Sequence, residues 1–511
     1  MLLLGLALAT GMEFYTYDSM NLVLPDIIGS LGVSLDEGSW VLTTYSCALF
    51  LGVPVCIWTA GHFGYKRYLL ATIALFAVAS IGVALAPDFH ILLGWRAVQG
   101  FAGAGLVVWW RAAIYVLLAR AERSTSLMRV STGLYLSSVG GLLCSGYLTD
   151  VASWRLIFVP NLIYAAGALW ILWRYFPDLP HADSARLVRT DVAGILLLGI
   201  AVVSLQVILS RGPIDDWFGA PVLRHLAWLC GGAFCAFVLW QVAPINRAPL
   251  LDLALVRDRR VVAAIVLGVF TGMILSGSLY ALPEYLRNID PRHLSAFQAG
   301  QVMCVYALTA AAIRPMMVEV VARIGQRVAI LLALIALFLS MLSFAHVLTT
   351  GTADADYFPG LILYALCLAP LLPSVGSGTV AKLEQGRLLD GVSLYMTFRQ
   401  FGASLGVALL TALIDARETT HSSRLFEHLR AGTLGTQSWL QHLTGVVAAR
   451  GGTTHAVAGR MALKLLQETA STQAATLAYA DAFLAMAALA CVAVVFLPIV
   501  PPSPPAKKLF G

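Results

Sequence analysis

The chain has 511 residues, of which 59% are hydrophobic and only 12% charged, with a formal net charge of +6. Soluble domains carry about 25% charged residues, so this chain cannot cover a water-facing surface and its solvent is mostly lipid. No Lys/Arg cluster is interleaved with aromatics, which excludes a nucleic-acid footprint and leaves basic loops that set membrane topology.

A helix needs about 20 apolar residues to cross a bilayer. Such runs predict fourteen spans, near 2–24, 39–60, 68–86, 90–118, 127–148, 155–176, 191–210, 222–244, 261–286, 296–318, 328–348, 357–380, 391–416 and 477–499. The first opens on Met1-Leu2-Leu3-Leu4 with no early Lys or Arg and carries Glu13 and Asp18, so it reads as a span and not as a cleaved leader. The run at 127–148 is rich in Ser and Gly, a composition suited to close packing inside a bundle. Residues 417–476 are expected as a long polar loop with helix-like stretches around 456–470, about sixty residues outside the membrane and enough for a small helical hairpin. That loop is either a solvated insertion or a docking surface for a partner. Pro501-Pro502-Ser503-Pro504-Pro505 cannot continue a helix and closes the last span.

Placing both termini in the cytoplasm puts eighteen Lys and Arg on inner segments: Lys66, Arg67, Arg120, Arg123, Arg129, Arg174, Arg186, Arg189, Arg247, Arg257, Arg259, Arg260, Arg323, Arg327, Lys382, Arg387, Lys507 and Lys508. The short outer loops hold five, Arg155, Arg211, Arg224, Arg287 and Arg292. This asymmetry follows the positive-inside rule and predicts an even number of spans. All eight cysteines fall in apolar runs without a CxxC pair, and read as packing residues. No P-loop, HExxH, GxSxG or Cys/His cluster occurs in the sequence, so no enzyme, metal or cofactor is expected and active transport would draw on a gradient.

Ionisable residues inside a membrane cost about 2.5–3.5 kcal/mol at a helix centre, and each is a functional candidate. They are Glu13, Asp18, Arg96, Arg111, Glu284, Arg314, Glu319 and Arg399. Glu13 suits a proton carrier or a structural ion pair with an arginine on a neighbouring helix. Asp18 lies closer to the outer end, with Asn21 on its face, and suits a proton-entry group or a satisfied polar helix end. The two are separated by about 140° around the helix, which predicts that they do not both point into one site. Arg111, behind Trp109 and Trp110, and Arg314 either pair with carboxylates or hold an anionic group in a central cavity. Gly100, Gly103, Gly141 and Gly146 are expected to permit close helix approach.

Several stretches resemble the fourteen-span drug:proton antiporters of the major facilitator superfamily, the EmrB/QacA type. They are Asn21-Leu22-Val23-Leu24-Pro25-Asp26-Ile27, Leu31-Gly32-Val33-Ser34 through Gly38-Ser39-Trp40-Val41, and Arg96 with Gln99, Gly100 and Gly103. To these add Trp154-Arg155 with Phe158 and Asn161, Ser204-Leu205-Gln206 through Asp216-Trp217, and Arg399-Gln400-Phe401-Gly402-Ala403-Ser404-Leu405-Gly406. Three positions depart from the family pattern. Gly61 stands in place of a loop aspartate, Leu142 in place of a proline after Gly141, and Thr16 in place of the first-span aspartate.

The resemblance implies an all-α membrane protein of the major facilitator fold, with two six-helix bundles and two extra central helices. The corresponding divisions are 1–176, 177–260 and 261–499, with a cytoplasmic tail at 500–511. It also implies proton-coupled export of small amphipathic compounds across the bacterial inner membrane by alternating access. A periplasmic adaptor and an outer-membrane channel would be partners, together with lipid and protons. Glu13, Asp18 and Arg96 are expected to couple protons. Asn21, Trp109, Trp110, Arg111, Tyr280, Glu284, Tyr306, Arg314 and Arg399 are expected to face substrate. Gln99 and the glycines Gly100, Gly103, Gly141 and Gly146 would be structural. Transport of organic anions by the same fold is the alternative; a membrane-embedded sensor or enzyme is the remote one.

Overall fold

A computed structural model describes residues 1–178, 191–212, 215, 217–246, 249–251, 253–349, 351–375, 388–429, 434–451 and 455–500. Arg186, Arg189, Asp216, Arg247, Lys382, Arg387, Lys507 and Lys508 lie outside the described residues, as do the end of the span expected at 357–380 and the tail from 501.

Every regular element among the described residues is helical: α1 Leu2–Leu31, α2 Leu35–Phe63, α3 Tyr65–Ala84, α4 Phe89–Leu117, α5 Arg120–Val151, α6 Val159–Tyr175, α7 Val192–Arg211, α8 Pro221–Val242, α9 Arg259–Glu284, α10 Ala296–Ile324, α11 Gln326–Val347, α12 Phe358–Pro373, α13 Leu388–His428, α14 Leu434–Gly451 and α15 His455–Val495. Twelve of them are long and apolar enough to cross a membrane. Two helices expected to span are not among the twelve. In α1, Glu13 and Asp18 with Thr10, Tyr15, Thr16, Tyr17, Ser19 and Asn21 dilute the apolar run, and all but Tyr17 of these are buried within the protein. In α12, the described helix has only 16 residues.

Helices α1–α6 pack together as one bundle, and α9–α13 with α15 pack as a second. They join along two seams, α5 against α10 and α2 against α13. The helices α7 and α8 pair with each other, and α7 lies against both α2 and α13. A small apolar cluster of Phe50, Leu198, Phe237, Leu255 and Leu394 holds that arrangement.

The α5–α10 seam depends on missing side chains. A Cβ on Gly146 would sit 2.7 Å from the Ala296 carbonyl oxygen of α10; within the first bundle, one on Gly141 would sit 2.7 Å from the Tyr15 carbonyl oxygen of α1. Asp150, at the end of α5, accepts from the backbone N–H groups of Ala296 and Phe297 at 3.1 and 3.0 Å. It thereby satisfies orphan donors at the start of a helix in the other bundle. Arg287 meets Asp26 at 2.9 Å at the same end, and Arg155 donates to the carbonyls of Ala84 and Ala86 at 2.8 Å each, closing the end of α3.

The described residues of 417–476 lie almost entirely on helices α13, α14 and α15. Each of α13 and α15 has 41 residues, about 60 Å of helix at 1.5 Å per residue, against a hydrocarbon core of about 30 Å. The polar residues therefore sit on helices that continue beyond the apolar stretch, pinned together where Asp481 meets His421 at 2.9 Å and Arg417 at 3.3 Å. The helix α14 packs back on α15. Glu319 is also misplaced by the sequence reading: it is exposed and pairs with Arg323 one turn on.

A second polar anchor fixes the extra pair. Asp191 caps α7 through the Gly194 N–H at 2.8 Å, and accepts from Trp240 Nε1 at 2.6 Å, Gln241 Nε2 at 2.7 Å, Asn246 Nδ2 at 3.1 Å and the Leu250 N–H at 3.1 Å. Burial opposes its charge, but these donors outweigh it and hold the carboxyl below the usual range.

Candidate functional site

A cavity of about 700 Å³ lies between the two bundles. Its walls come from α1, α2, α4 and α5 on one side, α9, α10, α12, α13 and α15 on the other, and α7 at the seam. Glycines position the wall on α13. Gly402 and Gly406 abut the backbone of α9 at Val269 and Met273, so Arg399, Gln400, Ala403 and Ser404 are left to face the cavity. The stretch Arg399 to Gly406 thus combines a close-packing face with a cavity face.

Both carboxylates of α1 line this cavity. The expectation that they could not share a site fails because the cavity wraps around α1 and accepts two directions from it. Asp18 accepts a hydrogen bond from the Tyr306 hydroxyl at 3.0 Å, from α10 in the opposite bundle. Glu13 lines the cavity together with Arg399 and Arg111.

Arg96 is 1% exposed and is held three ways. Its Nε donates to the Val41 carbonyl at 3.1 Å, its Nη1 donates to Gln99 Oε1 at 2.6 Å, and its guanidinium lies 4.2 Å from the centre of the Tyr45 ring. Gln99 passes the chain to Ser80 at 2.8 Å. Asn161 Nδ2 joins Thr16 at 2.8 Å and reaches Ser80 at 3.5 Å. Five helices, α1, α2, α3, α4 and α6, are tied by this buried network. Thr16, the departure from the family pattern, is one of its members.

Of the other residues expected to face substrate, Asn21, Arg111, Tyr280, Glu284, Tyr306 and Arg399 line the cavity. Glu284 accepts from Asn288 at 2.7 Å. Arg111 lies over the Trp110 ring at 4.2 Å and reaches the Val107 carbonyl at 3.4 Å.

Three residues do not line it. Trp109 is 1% exposed and packs against Tyr65 and Tyr68 with ring centres 4.8 and 6.1 Å away. Trp110 serves as the floor under Arg111. Arg314 turns toward the α5 seam, donating to Ser131 Oγ at 2.9 Å and to the Ala369 carbonyl. Hydrogen-bond partners within reach satisfy Arg314, so it is not presented to the cavity. The glycines Gly100 and Gly103 lie against Tyr45, whose ring the Arg96 guanidinium covers.

The cavity also includes residues that spacing alone did not single out: Tyr17, Tyr45, Ser138, Tyr395 and, from α7, Gln206. Toward the end carrying the α13–α15 extension it is lined by Asp415 and Glu418, which also border a smaller recess along α13 with Ser422 and Phe426. Two signals marked Gln206: it stands in a stretch that resembles the family, and it is a lone amide in an otherwise apolar run, which cannot face lipid cheaply. Among the described residues no group of His, Cys, Asp and Glu could hold a metal ion. The arrangement offers two buried carboxylates, Glu13 and Asp18, three lining arginines, Arg96, Arg111 and Arg399, and aromatic walls.

The family model described as Major Facilitator Superfamily matches residues 6–407. Fatty acid resistance protein FarB of Neisseria gonorrhoeae is 25% identical, covering 83% of this chain and 83% of its own. Multidrug export protein EmrB of Escherichia coli K12 is 25% identical, covering 87% and 85%. Among solved structures, the human organic anion transporter MFSD10 superposes with a TM-score of 0.57 at 16% identity, covering 96% and 97%, which shows the shared fold.

Proposed function

The chain belongs to the major facilitator superfamily, and on that premise we propose that it exports amphipathic drug-like or fatty-acid-like compounds across the bacterial inner membrane, driven by protons. The observation that carries this reading is the cavity between the bundles, where Glu13 and Asp18 of α1 face Arg399 of α13 and Tyr306 of α10. A carboxylate in that place binds either a proton or the polar part of a substrate. Exclusive occupancy of that kind is what antiport requires, because the loaded and the protonated forms must cross separately. Arg96, through Tyr45 and the Gln99–Ser80 chain, links the cavity wall to the frame of the first bundle. Multidrug export by EmrB and fatty acid resistance by FarB support this substrate range.

In this reading α1 and α12 complete fourteen spans, and both termini lie in the cytoplasm, as the Lys/Arg asymmetry favours. The part of α13–α15 beyond the bilayer would then face the periplasm and receive an adaptor that leads to an outer-membrane channel. A second reading, transport of organic anions, is favoured by Arg111 and Arg399, two cations lining one cavity.

The test uses everted vesicles that hold a proton gradient. Adding a transported amphipath is expected to discharge the gradient in proportion to its uptake. Uptake without any proton movement, across a panel of cationic, neutral and anionic probes, would sink the proton-coupled reading.

A further inference from the structure

The sequence of α7 is apolar apart from Ser204, Gln206, Ser210 and the terminal Arg211. A polar side chain inside an apolar span is costly unless a partner or a cavity receives it. Toward the start of α7, Val192, Leu196, Ile200 and Val203 are exposed. Gln206, Leu209 and Ser210, spaced by three and four residues, line the central cavity. The amide of Gln206 is held at one end only: its Oε1 accepts from Ser404 on α13. Among the described residues its Nε2 has no partner, and the residue faces the cavity. Asp191 at the base of α7, with its five donors, fixes the height and rotation at which Gln206 is presented.

We propose that α7 is a wall of the substrate site and that Gln206, braced by Ser404, is a specificity-determining residue that reads the polar group of an amphipathic substrate. Leu209 beside it receives apolar surface. The inference rests on the exporter reading, but it assigns to one of the two extra helices a direct part in selection in place of a role as filler between bundles. An amide can donate to an anion or accept from a cation, so it tolerates both head-group classes. A carboxylate at the same place rejects anions by repulsion.

The experiment compares the full chain with Gln206→Glu, Gln206→Leu, Ser404→Ala and the lipid-facing control Ile200→Ala in proteoliposomes. The probes are ethidium, a cationic amphipath, and oleate, an anionic one. Transport kinetics are read together with the ligand-induced change in melting temperature of the purified protein. Gln206→Glu is expected to raise the ratio of kcat/KM for ethidium over oleate by about tenfold, the scale of one desolvated charge contact. Gln206→Leu and Ser404→Ala are expected to raise KM for at least one probe more than they lower kcat, and Ile200→Ala to change neither. A ratio that moves less than about twofold in Gln206→Glu, or as much in Ile200→Ala, overturns the inference. If the wild type moves neither probe, the exporter reading fails, and the melting-temperature shift decides about α7. A shift diminished by Gln206→Leu upholds it; an undiminished shift, or none with either probe in the wild type, overturns it.

Discussion

The Tyr306 hydroxyl donates to Asp18 at 3.0 Å, joining α10 of one bundle to α1 of the other across 288 positions of sequence. Both side chains are buried, and rocking of the bundles about this point requires the bond to break. An intramolecular hydrogen bond contributes about 0.5–1.5 kcal/mol. Tyr306→Phe is therefore expected to shift the balance between conformations severalfold. Distances between spin labels on the ends of α1 and α10 would report that shift, and an unchanged distribution would count against the bond as part of the cycle.

Glu13→Gln and Asp18→Asn keep shape and polarity while removing the exchangeable proton. Each variant is expected to reach the membrane normally, to retain substrate exchange between equal compartments, and to lose uptake driven by a proton gradient. The comparison of exchange with driven uptake isolates coupling from binding. Normal driven uptake by both variants would remove these carboxylates from the proton path.

The network around Arg96 predicts a stability effect. Arg96→Ala leaves Gln99 Oε1 without its donor and removes a second bond from the helical Val41 carbonyl, and an unsatisfied buried group costs about 1–3 kcal/mol. The melting temperature of the purified protein is expected to fall by several degrees. Arg96→Lys, which lacks the planar fork, is expected to recover only part of the loss.

Gly146→Ala reverses the usual sign for a helical glycine. Alanine in a helix interior ordinarily stabilises by about 1 kcal/mol. Here the new methyl would lie 2.7 Å from both the Ala296 carbonyl oxygen and the Phe297 Cα, backbone atoms that cannot step aside, and overpacking of this kind costs about 1–3 kcal/mol. Loss of the α5–α10 contact, measured as a lower melting temperature and a longer distance between labels on these helices, is the expected outcome.

Asp191 predicts an acid-sensitive term at the edge of the membrane. Burial opposes its charge, yet the donors from Trp240, Gly194, Gln241 and Asn246 prevail and depress its pKa. A carboxyl with a depressed folded-state pKa adds stability above its unfolded value of about 4, and loses that stability as pH falls through the lower folded value. Melting temperatures from pH 7 to pH 3 should show this loss in the wild type. Asp191→Asn, which cannot ionise, should be less stable at pH 7 and should lack this contribution to the slope.

Much of the fold was legible because transfer into lipid is a local property. Each apolar run and each Lys/Arg-bearing loop declares itself without reference to its neighbours, and so do the ionisable residues within apolar runs, Glu13, Asp18, Arg96, Arg111 and Arg399. The course of the chain through 417–476 was less legible for a related reason: apolarity measures membrane, not helicity. Polar residues such as Arg417 and His421 continue α13 in water because Asp481 on α15 holds them.

Direction within the bundle was the part that local chemistry could not supply. Trp109 and Arg314 have the composition of cavity residues, yet Tyr65 and Tyr68 claim the first, and Ser131 and Ala369 the second. Gln206 looked like one amide in an apolar helix until α13 placed Ser404 against it. The sequence by itself determined that this protein lives in lipid, which segments are apolar enough to cross it, and which charges are expensive enough to require a reason. Only the tertiary structure decided which of those charges share a cavity. Partners separated by as many as 288 positions meet through helix rotation and backbone approach at glycines; a local pattern marks the glycines but not which helix comes against them.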